Sequence, residues 1–361
     1  MTTEYGHMIQ EYYVGRFGQI QESRVRRINS LSSAQEATEL VQETKHEILK
    51  GFGSYPERTS LNVKMYGEIK CTGFRIEKII YESRPGVHVT ANLYIPDGQG
   101  KFPAVLGLCG HSLTGKAEPV YQSFCQALAL KGFIVLIIDP YSQGERLQYT
   151  RVNDGNNKIN GRSTHEHNMA GKHLGLSGEF FGMWRAWDGI RGIDYLLSRK
   201  DVDPDRLGVT GNSGGGTMTT WVSALDDRIT MAAPSCFITT NLTNLENELP
   251  ADSEQIVPFH AGSGFDMWDF IIARAPRPTI IMAKDNDFFD DRGSRKAYEQ
   301  CLKVYRLLGA EDNIKLYIGE GNHGYSQCNR EAMYKFFCEK ATVDNNGGEP
   351  DLNTLPEEQL F

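Results

Sequence analysis

The chain has 361 residues, of which 40% are hydrophobic and 23% charged, enough to fill one substantial soluble core. Its formal net charge of −8 argues against nucleic acid or an anionic membrane as partner. No stretch approaches the ~18 apolar residues of a membrane span, and the first residues lack a basic segment followed by an apolar run. Seven scattered cysteines without CxxC spacing suit free thiols in a reducing compartment, so the expected location is cytoplasmic.

Residues 1–60 read as a polar helical extension. Ser33-Ala34-Gln35-Glu36 resembles a capping box, and Ala37, Leu40, Val41, Ile48 and Leu49 keep helical spacing. Such a pair is expected to pack on the sheet rather than act as a lid. Beyond Cys71 the period changes to two: Val89, Ala91, Leu93 and Ile95 alternate with polar neighbours, as in a half-buried antiparallel strand. Near-continuous apolar runs follow, the pattern of buried parallel strands: 103–108, 133–138, 207–210, 229–233, 279–282 and 314–318. Helical patterns over 121–131, 184–198, 217–224 and 293–308 separate several of them. This alternation predicts an α/β fold with a doubly wound, mostly parallel sheet, spanning residues 61–343.

Two long segments interrupt the alternation, 141–183 and 237–275, and the second is expected to form a small cap. It carries Phe237, Phe259, Phe265, Met267, Trp268 and Phe270, which would either overhang the site or anchor the segment on the sheet. The tail 344–361 is polar and expected to be disordered.

Gly211-Asn212-Ser213-Gly214-Gly215 fits G-x-S-x-G between an apolar strand and a helix-compatible stretch. Strand, sharp turn and helix are what a nucleophile elbow requires, and small neighbours let the strand and helix approach. Ser213 is the candidate nucleophile. A serine hydroxyl needs an adjacent base, and only His260 and His323 follow the elbow. His323 lies just past the last strand, at the sheet edge that carries ligand sites in doubly wound folds. His260 falls in the irregular segment and reads as a surface or lid residue.

The acid that orients the imidazole should lie between serine and histidine in the chain. Asp285 and Asp287 both follow the 279–282 strand; spacing from its start favours Asp287, with Asp285 capping the turn. Asp290 and Asp291 read as caps of the next helix. Two N–H donors must hold the oxyanion: Gly214, directly after the nucleophile, and by position His111 in the loop Cys109-Gly110-His111-Ser112. His165-Glu166-His167, with His173 nearby, lacks the ligand spacing of a helical zinc site and reads as a polar loop. Neither metal nor cofactor is expected.

With these residues placed, the chain resembles the acetyl xylan esterase-like and dienelactone-hydrolase-like branch of the α/β-hydrolase superfamily, over about residues 60–340. The resemblance rests on Gly110-His111-Ser112 with Gly115-Lys116, on Asp139-Pro140 with Gln143-Gly144-Glu145-Arg146, and on the stretch from Trp187 to Arg206. Gly211–Thr217 completes it. It implies an ion-pair network of Glu145, Arg146, Asp188 and Arg191 bracing the elbow, and hydrolysis of short acyl esters, such as acetyl, on a carbohydrate or small polyol. Asp290-Asp291 depart from the branch, where proline commonly follows the acid. A prolyl-oligopeptidase-type peptidase or a C–C bond hydrolase could use the same triad, although no propeller-length N-terminal domain is present. The expected partner is a small-molecule or carbohydrate ester, with homo-oligomerisation left open.

Overall fold

A computed structural model describes residues 5–151, 158–159, 163–249, 252–344 and 347–361. Its centre is a nine-stranded sheet formed by β1 (Lys64–Cys71), β2 (Phe74–Arg84), β3 (Val87–Pro96), β4 (Phe102–Leu108), β5 (Ile134–Ile138), β6 (Val202–Asn212), β7 (Met231–Ser235), β8 (Thr279–Asn286) and β9 (Ile314–Asn322). The strand order is β1-β2-β3-β5-β4-β6-β7-β8-β9. Pairings among β1, β2, β3 and β5 are antiparallel, and those from β5 through β4 to β9 are parallel. The parallel strands are the continuous apolar runs of the sequence, because helices cover both of their faces. The doubly wound reading therefore holds.

One face carries the helices Phe181–Ser198, Gly214–Leu225 and Asp291–Leu307, packed through Trp187, Ile190, Trp221, Val222 and Val304. The other carries Pro119–Leu130 and Gln327–Lys340, packed through Phe124, Leu128, Met333 and Phe337. β1, at the antiparallel edge, is largely exposed and its sequence gives no apolar run, whereas β2, between β1 and β3, lies in the stretch of period two and buries alternate residues.

The N-terminal segment forms helices Met8–Asn29 and Ala34–Phe52. Ser33 caps the second by accepting from Glu36 N at 3.2 Å, while the Glu36 carboxylate turns to Ser32 N, so only half of the expected box forms. The pair packs on helices Gly214–Leu225, Asp269–Ile272 and Asp291–Leu307 rather than directly on the sheet. Arg24 holds it there through a buried ion pair with Asp269 at 2.6 Å, and Gln21 reaches Asp266 at 3.1 Å.

The C-terminal tail is not disordered where it is described. Glu349 pairs with Arg330 and accepts from the Tyr334 hydroxyl at 2.8 Å, and Leu360 is wholly buried. Lys78 caps the last residue, donating to Phe361 O at 2.8 Å. The polar composition conceals an apolar plug, Leu360, supported by Leu352 and Leu355, and a set of specific backbone contacts.

Candidate active site

β6 ends at Asn212, and Ser213 turns the chain into helix Gly214–Leu225 with φ 59° and ψ −122°. That is a left-handed backbone at a non-glycine residue, strain of the kind stored at functional turns. The flanking glycines are sterically required. A Cβ on Gly211 would lie 2.3 Å from Leu108 O, and one on Gly215 2.1 Å from the same oxygen. The turn is held by Ser213 N donating to Ser235 O at 2.9 Å and Thr217 N to Ser213 O at 2.8 Å.

β8 and β9 bring the histidine and its carboxylate together. His323 Nδ1 lies 2.8 and 2.9 Å from the two carboxylate oxygens of Asp287. The Asp287 side chain is fully buried, and Phe289 N donates to it at 3.0 Å. Phe288 stacks on the imidazole with centroids 4.1 Å apart. Asp285 turns elsewhere and accepts from Gly321 N at 2.7 Å, tying the two strand-end loops together. Asp290 accepts from Arg292 N and caps helix Asp291–Leu307, and Asp291 pairs with Arg295 in its first turn. Cys236 sits behind the pair, its thiol pushed up to about 12 by burial and by the neighbouring Asp287 charge.

The loop after β4 runs against the elbow. A Cβ on Gly110 would lie 2.5 Å from Asn212 O and 3.2 Å from Ser213 Cβ, while Gly110 N is taken up by the Tyr121 hydroxyl at 2.7 Å. The next residue is His111, whose side chain is 22% exposed. Its ring packs against Gly214, where an added Cβ would meet His111 Cε1 at 3.0 Å. Its Nε2 lies 2.7 Å from Asp252 Oδ2, 3.3 Å from His167 Nδ1 and 3.6 Å from Glu254 Oε1. Burial works to lower the His111 pKa, but the Asp252 hydrogen bond and the Glu254 charge outweigh it and raise it. Burial likewise opposes ionisation of Asp252, yet bonds to His111 and His167 hold its carboxyl well below the usual range.

This four-residue group was not legible in the sequence. The 165–173 stretch is a helix, Thr164–Leu176, not a loop; it exposes His165 and His173 and buries Glu166 and His167. Asp252 and Glu254 come from the irregular segment, 85 residues beyond His167 in the first case. No periodicity links them.

Other expectations need correcting. The aromatics of 237–275 do not overhang Ser213: Phe237, Phe265, Met267, Trp268 and Phe270 are buried in the core, and only Phe259 is exposed. Phe270 packs on Trp221 at 4.1 Å, so the segment is anchored by these rings. His260 is no surface residue; it lies between Phe265 and Phe270 beside a cavity of about 360 Å³ that Phe237 and Phe289 also line. The expected ion-pair network is divided. Arg146 pairs with Asp188 at 2.8 Å and Lys116 with Asp139 at 2.7 Å and with Glu145, whereas Arg191 pairs with Asp194. The Lys116 and Arg146 pairs brace the loops after β4 and β5.

The sheet order and the sharp strand-to-helix turn are those of an α/β-hydrolase. The chain belongs to the acetyl xylan esterase (AXE1) family, whose model matches residues 57–242, slightly more than half of it, and it is thereby a carboxylic ester hydrolase. YtaP of Bacillus subtilis (strain 168) is 27% identical over 308 residues, covering 81% of this chain and 97% of YtaP. Among solved structures, Methylesterase BT1017 superposes with a TM-score of 0.75 at 22% identity, covering 95% of this chain and 73% of that one. A glucuronoyl esterase from Solibacter usitatus gives 0.61 at 18% identity, covering 86% and 94%. At these identities the two structures speak for the fold. Among the described residues no helix is long and apolar enough to cross a membrane.

Proposed function

We propose that the chain is a serine-dependent esterase that removes short acyl groups, acetyl first among them, from a carbohydrate or small polyol. The observation that carries this reading is the buried Asp287 carboxylate bound to His323 Nδ1 at the same sheet edge as the strained Ser213. In this reading Asp287 fixes the imidazole tautomer and leaves Nε2 to take the proton from Ser213 Oγ. The serine oxygen attacks the ester carbonyl, and the N–H groups of Gly214 and His111 hold the oxyanion. His323 then returns the proton to the leaving alcohol. Water, activated by the same imidazole, cleaves the acyl-enzyme and frees the carboxylic acid.

The acyl preference is supported by family membership, not by an aromatic cap. Rates with p-nitrophenyl acetate, butyrate and octanoate, beside acetylated sugars and a peptide anilide, test it. Acetate should be cleaved far faster than octanoate, with sugar acetates among the substrates. Equal kcat/KM for acetate and octanoate would remove the short-acyl claim, and anilide cleavage without ester cleavage would remove the esterase reading.

A further inference from the structure

Beside the elbow, His111, His167, Asp252 and Glu254 each turn one possible ligand atom toward a common point, and these atoms all lie within 4.8 Å of one another. His167, Asp252 and Glu254 are buried, whereas His111 is 22% exposed and forms the open edge. We propose that these four side chains form a binding site for a divalent first-row cation, zinc in the first place.

The hydrogen-bond inventory carries the argument. His167 Nε2 lies 2.9 Å from Tyr141 O, and a carbonyl can only accept, so Nε2 bears the ring proton. The 3.5 Å approach of Arg185 to the same nitrogen is too long to compete. In the neutral ring His167 Nδ1 is then a lone pair, and it faces Asp252 Oδ2 at 2.7 Å. His111 Nε2 faces the same oxygen at the same distance. Glu254 Oε1 is wholly buried and has no hydrogen-bond partner, while Arg185 engages the other oxygen of that carboxylate. An added proton on His167 would relieve one contact and leave Glu254 Oε1 unsatisfied. A cation at the centre meets all four atoms at once.

Size, charge and surroundings agree. Tetrahedral bonds of 2.0–2.2 Å place ligand atoms roughly 3.4 Å apart; the separations of His111 from His167 and from Glu254, 3.3 and 3.6 Å, match that, and the 2.7 Å contacts of both imidazoles with Asp252 Oδ2 must lengthen as the ion enters. Two imidazoles with two carboxylates are a zinc-type donor set, softer than the all-oxygen shells of calcium or magnesium. With neutral histidines the cluster holds two buried carboxylates, of which Arg185 pairs with Glu254, an imbalance that a divalent cation reverses. The Tyr141 carbonyl on His167 and the guanidinium on Glu254 are the orienting contacts that metal ligands use.

A Cβ on Gly214 would lie 2.9 Å from Glu254 Oε1, so the ion borders the residue that follows Ser213. Its charge there favours negative charge developing over Gly214 N. That consequence rests on the esterase reading; the site itself does not.

The test uses the full chain stripped with a chelator, then loaded with zinc sulfate and desalted. Elemental analysis should find about one zinc per chain, and competition with a chromophoric chelator gives the affinity. His167→Gln and Asp252→Asn should each weaken binding at least ~100-fold, with circular dichroism checking their fold. His111→Asn, at the exposed edge, provides a variant that disturbs the core least and should weaken binding too. Cobalt loading should give visible d–d absorption without thiolate charge-transfer bands, which separates this site from the Cys236–Asp287–His323 group. Ser213→Ala should bind zinc as the wild type does, so loss of ester turnover and loss of the ion are read independently. Absence of stoichiometric uptake by the wild type overturns the proposal, as does unchanged uptake by folded His111→Asn and Asp252→Asn.

Discussion

His323 and His111 each face a buried carboxylate, but the two groups are assembled differently. His323 and Asp287 come from the ends of adjacent parallel strands, so sheet register alone brings them together. One nitrogen meets one carboxylate there, and in the proposed mechanism the other takes the serine proton. His111 meets two carboxylates and a second histidine that arrive from a helix and an irregular segment. A pair on strand ends suits a proton relay with one orientation; a convergent set of four suits an ion. The difference teaches that a histidine–carboxylate contact takes its meaning from how many donors share the point and which element delivers each.

The largest expected effects fall on the strand-end side. Ser213→Ala should lower kcat/KM for p-nitrophenyl acetate at least ~10³-fold with an unchanged melting temperature. A variant retaining more than a few per cent of the rate would show that the elbow serine is not the nucleophile. Asp287→Asn should cost about 10⁴-fold in kcat, because the imidazole then adopts the wrong tautomer. Asp285→Asn should retain most activity, since its carboxylate only ties Gly321 N. The reverse outcome would make the loop contact, not the buried pair, the catalytic one.

A stability effect tests the other side. Arg24 is the buried partner of Asp269, in the segment that also supplies Asp252 and Glu254. Arg24→Met leaves the Asp269 charge without its cation in a fully buried position. It should destabilise the chain by about 3 kcal/mol in urea unfolding. If stability is unchanged, the N-terminal helices do not brace that segment.

The same contrast governs what the sequence could reveal. Ser213 was legible because a strained turn needs glycines at fixed offsets, and steric demand leaves a local pattern. Asp287 was preferred over Asp285 on strand-end spacing, and in the structure Asp287 is the one bonded to His323. The parallel strands announce themselves as apolar runs, whereas β1, at an exposed antiparallel edge, does not. His167, Asp252 and Glu254 were missed because nothing local couples residues whose association is decided by tertiary packing. The aromatics of the 237–275 segment misled for a related reason: composition shows that rings will bury themselves, but not whether against substrate or core. Tail composition is silent in the same way, because a few apolar residues in a polar stretch, Leu352, Leu355 and Leu360, with the Glu349 ion pair, dock it.

The smallest expected effect returns to the strand-end side, at the helix that follows the Asp287 loop. Asp290 accepts from Arg292 N and from the Arg292 guanidinium, and Asn247 donates to it at 3.2 Å. The Arg292 hydrogen bonds, working against burial, hold its carboxyl down at about 2. A folded-state value below the unfolded one contributes stability that is present above the unfolded pKa and is lost as pH falls through the folded value. Asp290→Ala should therefore cost about 1 kcal/mol at neutral pH, the usual worth of an N-cap. The wild-type advantage should shrink between about pH 4 and pH 2. Paired urea titrations of the two proteins at pH 7 and at the lowest pH where both remain folded measure it. Ester turnover should change little, because Asp287 receives its own backbone donor from Phe289 N and does not depend on the cap. If turnover instead falls in step with stability, the Asp290 cap is part of what holds Asp287 against His323, and the strand-end pair is less self-sufficient than its geometry implies.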